Sequence, residues 1–175
     1  GRLDVLVANI GGGSGDRGWD VSDHEWDRVM NLNFHSAVRS AHAAIPQLKC
    51  HGGNIVFISS IASLEQTGAP VAYDCAKKSL NVYCKYLSRE LGSDGIRVNV
   101  VAPGNIYFPG SVWDRYSRNM GKRKTAAMLD RQVPMKRFGE PQEVADAVLF
   151  LASQKASFVT GACLTVDGGQ VKSYH

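Results

Sequence analysis

A tyrosine and a lysine one helical turn apart are the first residues in this chain that could do chemistry. Tyr73 and Lys77 stand four positions apart, so in a helix both side chains lie on one face. A phenol has an ordinary pKa of about 10, and a nearby ammonium lowers that pKa by favouring the phenolate. The pair is suited to exchanging a proton with a substrate oxygen. The spacing alone also fits a packed tyrosine beside a surface lysine, and this alternative stays open.

A serine hydroxyl is expected close to the same helix. Ser60 stands thirteen residues before Tyr73, directly after an apolar run at residues 54–59 that is typical of a β-strand. In parallel α/β sheets, ligands bind at the carboxyl ends of the strands. The position of Ser60 therefore predicts that its hydroxyl faces the site that contains Tyr73.

Four short apolar, β-branched runs predict the sheet that positions these side chains. They cover residues 3–8, 54–59, 96–101 and 163–166, and longer helical patterns separate them. Such runs are typical of strands that are covered on both faces. Strands that alternate with helices indicate a parallel sheet, so the sequence predicts a doubly wound α/β fold.

The helix ends are also readable. Ser22 and Glu25 have the spacing of a capping box, which predicts a helix that starts near residue 23 and runs, with one break, to residue 44 before Pro46. A second helix is predicted over residues 72–91, and a third starts at Pro141, a favoured first position. Residues 105–139 are polar and basic and contain glycines and prolines, which predicts a long excursion over the site.

Composition bounds the class of protein. The chain has 175 residues, 44% of them hydrophobic, with a net charge of +4 from 20 basic and 16 acidic side chains. This balance excludes an intrinsically disordered chain and fits one domain with a buried core. No apolar run reaches membrane-spanning length, and the four cysteines are too scattered to predict a metal site. We expect reduced thiols and a cytoplasmic protein.

Several motifs in order along the chain resemble those of the short-chain dehydrogenase/reductase family. Asn33, Ser60, Tyr73 and Lys77 fall on the family's helix asparagine, its serine and its Y-x-x-x-K pair. The remaining matches are the segments 7–11 (similar to N-N-A-G), 96–104 (I-R-V-N-x-V-x-P-G), 137–141 and 167–169. The resemblance implies a Rossmann-like fold and a reaction that interconverts a carbonyl and a secondary alcohol with NAD or NADP.

The resemblance also implies roles for individual residues. Tyr73 would exchange the proton at the substrate oxygen, Ser60 would hydrogen-bond that oxygen, and Lys77 would lower the Tyr73 pKa and bind the nicotinamide ribose. Asn33 would hold a water molecule in a proton relay behind Lys77. Residues expected to contact the cofactor are Asn9, Gly11, Tyr73, Lys77, Pro103, Gly104 and Ile106. For Asn9 and Asn33 a simple turn-capping role remains an alternative.

Two departures from the family pattern stand out. Phe108 occupies a position where many members have a threonine that bonds the cofactor, and the G-x-x-x-G-x-G loop that binds the pyrophosphate is not in this sequence. The chain is therefore expected to be a single partial domain over residues 1–175, incomplete on its N-terminal side. Residues 13–18 fit G-x-G-x-x-G but do not open directly into a helix, so we expect a flexible loop near the active site there.

Substrate and partners are less constrained. Eight basic side chains between residues 113 and 137 could attract a phosphorylated carrier or simply form a solvated face, and a 3-oxoacyl thioester is the leading substrate candidate. We expect a homodimer or homotetramer, with neither nucleic acid nor membrane as a partner. The alternative function is an inert, truncated chain that acts only as an oligomerising scaffold, because the 3–8 strand would present an unpaired edge.

Overall fold

The computed structural model describes residues 1–173 and contains one parallel sheet. Its strands are β1 (Val5–Ala8), β2 (Gly53–Ile58), β3 (Ile96–Pro103) and β4 (Cys163–Val166), in the spatial order β1-β2-β3-β4. Every pairing is parallel, so the carboxyl ends of all four strands meet at one edge of the sheet. β1 is an edge strand, and no other strand within residues 1–173 pairs with its outer side.

Six α-helices connect and cover these strands. They are α1 (Asp23–Met30), α2 (Ser36–Leu48), α3 (Val71–Glu90), α4 (Val112–Met120), α5 (Lys122–Gln132) and α6 (Pro141–Ala152), and a π-helical turn at Asn31–His35 joins α1 to α2. No helix within residues 1–173 is both long enough and apolar enough to cross a membrane.

Two hydrophobic cores lie on opposite faces of the sheet because successive side chains of a strand alternate in direction. In β2, Phe57 packs with Leu80 of α3 on one face, in a core to which α2 also contributes. Val56 packs with Leu151 of α6 on the other face. All four side chains are fully or almost fully buried. The structure thus confirms the predicted doubly wound α/β fold.

One helix end and one helix cap differ from the sequence prediction. The second half of the first predicted helix does not stop before Pro46 but continues as α2 to Leu48. Pro46 is exposed, so water can satisfy the carbonyl that loses its N–H partner to the proline ring. At the start of α1, Ser22 caps the Glu25 N–H as predicted, but the Glu25 carboxylate bonds Arg28 and the Asp16 N–H instead of completing a capping box.

The excursion between β3 and α6 folds over the carboxyl edge of the sheet. It contains α4 and α5, and a cluster of rings formed by Tyr107, Trp113 and Phe138 joins its two ends. Asp114 anchors the segment, because its carboxylate accepts hydrogen bonds from the Gly110 N–H and the Tyr107 hydroxyl and is paired with Arg118. The segment therefore forms a fixed wall beside the strand ends.

Candidate active site

Tyr73 and Lys77 lie on the first two turns of α3, on the face that meets the end of β2. The Lys77 ammonium is 5.7 Å from the centre of the Tyr73 ring and donates a 2.9 Å hydrogen bond to the Ile58 carbonyl. The Ser59 hydroxyl donates to the Lys77 carbonyl over 3.0 Å and so ties the strand end to the helix. Lys77 is only 4% exposed, which removes the alternative of a surface lysine.

The electrostatics of the pair differ from the sequence prediction. The pKa of Tyr73 is raised, mainly because the phenol is buried. A hydrogen bond with the Ser60 hydroxyl lowers this pKa, and the neighbouring Asp74 carboxylate raises it further. Burial also lowers the pKa of Lys77 to about 8, because desolvation disfavours the ammonium. The Tyr73 pKa is thus raised rather than lowered, because desolvation outweighs the opposing hydrogen bond with Ser60, and a lowering contribution from Lys77 stays a prediction.

One cleft at the carboxyl edge of the sheet collects almost all of the predicted site residues. Its volume is about 380 Å3, and the predicted residues that line it are Asn9, Gly11, Ser60, Tyr73, Lys77, Pro103, Gly104 and Ile106. They come from the ends of three strands and the start of α3, which are far apart in sequence. Phe108 lines the same cleft and is half exposed.

Asn33 is the predicted site residue that does not line this cleft. It is fully buried in the π-helical turn, where its side chain donates to the carbonyls of Gly12 and Val29 and accepts from the Gly12 N–H over 2.9 Å. Asn33 therefore holds the loop after β1, and its predicted part in a water relay stays a prediction. A Cβ atom on Gly11 would lie 2.7 Å from Asn33 Oδ1 and 3.0 Å from Lys77 Nζ, so this close approach requires glycine.

A second pocket of about 420 Å3 opens on the other side of Tyr73. It shares six lining residues with the cleft, and these include Ser60 and Tyr73, so their hydroxyls lie where the two cavities meet. The excursion supplies an apolar wall that includes Trp113, Met120 and Met128. The structure thus has two adjoining cavities with the Tyr73 and Ser60 side chains at their junction.

The comparisons with known proteins agree with this geometry. A family model described as enoyl-(acyl carrier protein) reductase matches residues 1–170. A 3-oxoacyl-[acyl-carrier-protein] reductase of Chlamydia muridarum is 37% identical over 170 residues, which cover 97% of this chain and 66% of the relative. This chain belongs to the short-chain dehydrogenase/reductase family.

Solved structures of short-chain dehydrogenase/reductase proteins have the same fold. An oxidoreductase of this family from Burkholderia thailandensis superimposes with a TM-score of 0.88 at 33% identity, over 97% of this chain and 65% of the other. A 3-oxoacyl-[acyl-carrier protein] reductase from Brucella melitensis with bound NAD superimposes with a TM-score of 0.84 at 31% identity. The match covers 98% of this chain and 63% of the other. The chain thus spans just under two thirds of the length of these relatives.

The glycine-rich loop of this short-chain dehydrogenase/reductase is close to the active site, as predicted, but it is not free. A Cβ atom on Gly13 would touch the Tyr73 ring at 3.8 Å. The loop is fixed to α1, because Arg28 donates to the Ser14 carbonyl and Glu25 accepts from the Asp16 N–H. Charged side chains on α1 thus hold the loop in this structure, and its predicted flexibility stays a prediction.

Sequence reasoning missed two residues of this short-chain dehydrogenase/reductase site. Ser59 positions Lys77 through its carbonyl, and Arg17 lines the second pocket. Arg17 is a variable position of the G-x-G-x-x-G match, which gives it no role, and the position of Ser59 at a strand end is its only sequence signal.

Within residues 1–173, no group of three histidine, cysteine or acidic side chains is placed to hold a metal ion.

Proposed function

We propose that this protein catalyses the NAD(P)-dependent interconversion of a carbonyl and a secondary alcohol. The observation that carries the proposal is the single cleft in which Ser60, Tyr73 and Lys77 meet the ends of β1, β2 and β3. Supporting evidence comes from the family membership of the chain and from the relative that was solved with NAD.

In this proposal the two hydroxyls act on the substrate oxygen. Tyr73 gives its proton to the carbonyl oxygen during reduction and takes it back during oxidation. Ser60 donates a hydrogen bond to the same oxygen, which stabilises the negative charge that develops there. Lys77 holds a positive charge 5.7 Å from the Tyr73 ring and so favours the deprotonated state that Tyr73 reaches after the transfer.

The residues of the cleft fit the nicotinamide end of the cofactor. The Lys77 ammonium has three donors and gives one to Ile58, which leaves donors for ribose hydroxyls. Asn9, Gly11, Pro103, Gly104 and Ile106 would line the ring, and the missing side chain of Gly11 leaves room for the Lys77 ammonium. The bound nicotinamide would exchange a hydride with the substrate carbon.

A 3-oxoacyl thioester is the substrate that we propose. The acyl-carrier-protein reductases among the relatives support it, as does the basic surface of the excursion. Part of that surface is neutralised, since Arg118, Lys136 and Arg137 form ion pairs with acidic side chains. Lys122, Arg123 and Lys124 are exposed at the start of α5 and form no ion pair within residues 1–173, so they are the candidates for a phosphorylated carrier.

A tyrosine replacement with a matched control tests the proposal. We expect Tyr73→Phe to abolish reduction of acetoacetyl pantetheine while it leaves binding of the reduced cofactor unchanged. Tyr86→Phe, an exposed tyrosine on the same helix, should retain wild-type activity. Turnover that survives in Tyr73→Phe would contradict the assignment.

The open edge of β1 favours a second candidate function, an oligomerising scaffold without turnover. Exposed apolar side chains continue from that edge, with Val7 43% and Ile10 59% exposed. Unpaired strand edges promote association between chains. Fluorescence titration with NADH and with NADPH separates the candidates, because saturable binding favours the enzyme and its absence favours the scaffold.

We further propose a homodimer or homotetramer in the cytoplasm as the working state. All four cysteines are free in the structure, which fits a reducing compartment. Sedimentation of the chain at several concentrations tests the assembly, and a monomer at all of them would contradict it.

A further inference from the structure

Arg17 is the one residue with a formal charge among the described residues that line the 420 Å3 pocket. It extends from the glycine-rich loop that passes over Tyr73. The remainder of the lining is neutral, with the catalytic hydroxyls at one side and the apolar excursion wall at another. A single cation in an otherwise neutral pocket gives that pocket a preferred sign of ligand charge.

The guanidinium of Arg17 has neutral partners only. It donates to the Gly68 carbonyl over 2.7 Å and to the Tyr116 hydroxyl over 2.8 Å. Within residues 1–173 it makes no ion pair with an acidic side chain, whereas the neighbouring Arg28 is paired with Glu25. Since a guanidinium has five donors, two hydrogen bonds leave it able to bind an anion.

The surroundings of Arg17 strengthen this preference. Arg115 lines a neighbouring depression together with Arg17 and Tyr116, so a second cation adds to the local positive potential. Tyr116 is 41% exposed and its hydroxyl is a neutral acceptor, which an anionic oxygen can replace.

We propose that Arg17 binds a negatively charged group of the substrate while Tyr73 and Ser60 bind its carbonyl oxygen. This assignment rests on the proposed function and narrows the substrate class to oxo compounds that carry an anionic group. The apolar wall of Trp113, Met120 and Met128 accommodates the body between the two polar ends. The anion is either a carboxylate of the oxo compound itself or the phosphate of a pantetheine arm.

Matched ligand pairs separate charge from shape. Calorimetry on the full chain compares 4-oxocyclohexanecarboxylate with its uncharged carboxamide, and acetoacetyl pantetheine with its phosphorylated form. We expect the wild type to bind the anion of at least one pair tenfold or more tightly than the neutral partner, as a charge-assisted hydrogen bond requires. The pair that shows the preference identifies the source of the charge.

Substitutions then assign the preference to Arg17. Arg17→Met should remove the preference, Arg17→Lys should keep part of it, and the control Arg115→Met should change it less than threefold. Tyr116→Phe should leave anion binding intact, because the neutral acceptor is displaced by the ligand. If Arg17→Met lowers the affinity for charged and neutral ligands equally, Arg17 has only a structural role and the proposal is overturned. A wild type that shows no preference for the anion in either ligand pair would overturn it as well.

The binding measurement also keeps this proposal apart from the proposed function. Tyr73→Phe should lose turnover and keep the anion preference, so a failure at Arg17 leaves the reductase assignment intact. Conversely, if wild type and Tyr73→Phe turn over at the same rate, the reductase assignment fails although the anion preference persists.

Discussion

Lys77 provides a test of the site that needs no substrate. Burial lowers its pKa from an ordinary 10.5 to about 8. Because one pKa unit corresponds to about 1.4 kcal/mol, burying the ammonium destabilises the folded protein by about 3 kcal/mol at neutral pH. The Ile58 carbonyl, at 2.9 Å, is the one hydrogen-bond acceptor that the ammonium has within residues 1–173.

The sign of the pH dependence follows from proton binding. Between pH 8 and pH 10.5 the unfolded chain still holds the Lys77 proton, whereas the folded protein has released it. The unfolded state thus binds more protons in this window, so the free energy of unfolding rises with pH. Below pH 8 both states are protonated, and the destabilisation is fully present.

The assay is urea unfolding of the wild type and of Lys77→Met at about pH 7.5 and about pH 9.5. Subtracting the free energy of unfolding of the variant from that of the wild type removes the contribution of all groups that titrate in both proteins. We expect the free energy of unfolding of the wild type to rise relative to Lys77→Met by about 1–2 kcal/mol over this range. Lys78→Met, an exposed neighbour on α3, is the control and should follow the wild type. A pH-independent difference between wild type and Lys77→Met would refute the burial of this ammonium.

Three further substitutions test the architecture around the site. Gly11→Ala places a Cβ against Asn33 and Lys77 and should lower the free energy of unfolding by about 1–3 kcal/mol; a urea midpoint equal to that of the wild type would contradict the close approach. Ser59→Ala removes the hydrogen bond to the Lys77 carbonyl and should lower the free energy of unfolding by about 1 kcal/mol in the same assay. An unchanged free energy of unfolding would contradict this expectation. Asp114→Ala releases the Gly110 N–H and the Tyr107 hydroxyl, so trypsin should cleave residues 107–120 several-fold faster, and unchanged cleavage would show that the ring cluster alone holds the segment.

Local patterns in the sequence were sufficient for the main elements. The β-branched runs predicted all four strands, and Ser22 and Pro141 predicted the starts of α1 and α6, because strand burial and helix capping depend on residues close in sequence. The spacing of Tyr73 and Lys77 likewise placed both on one face of α3. Pro46 misled the prediction, since its effect depends on whether its helix face meets water.

Long-range packing decided what the candidate site can do. The Asn33 side-chain amide hydrogen-bonds Gly12, which is 21 residues away in sequence. Arg17 donates to Gly68, 51 residues away, and to Tyr116, 99 residues away. No local pattern encodes these contacts. The pKa of Tyr73 and of Lys77 is set by how much water the folded sheet and helices exclude, which is a property of the assembled structure. Residue types and local spacing were therefore enough to find the candidate groups, whereas their pKa values depend on burial and their partners on which distant segments the fold brings together.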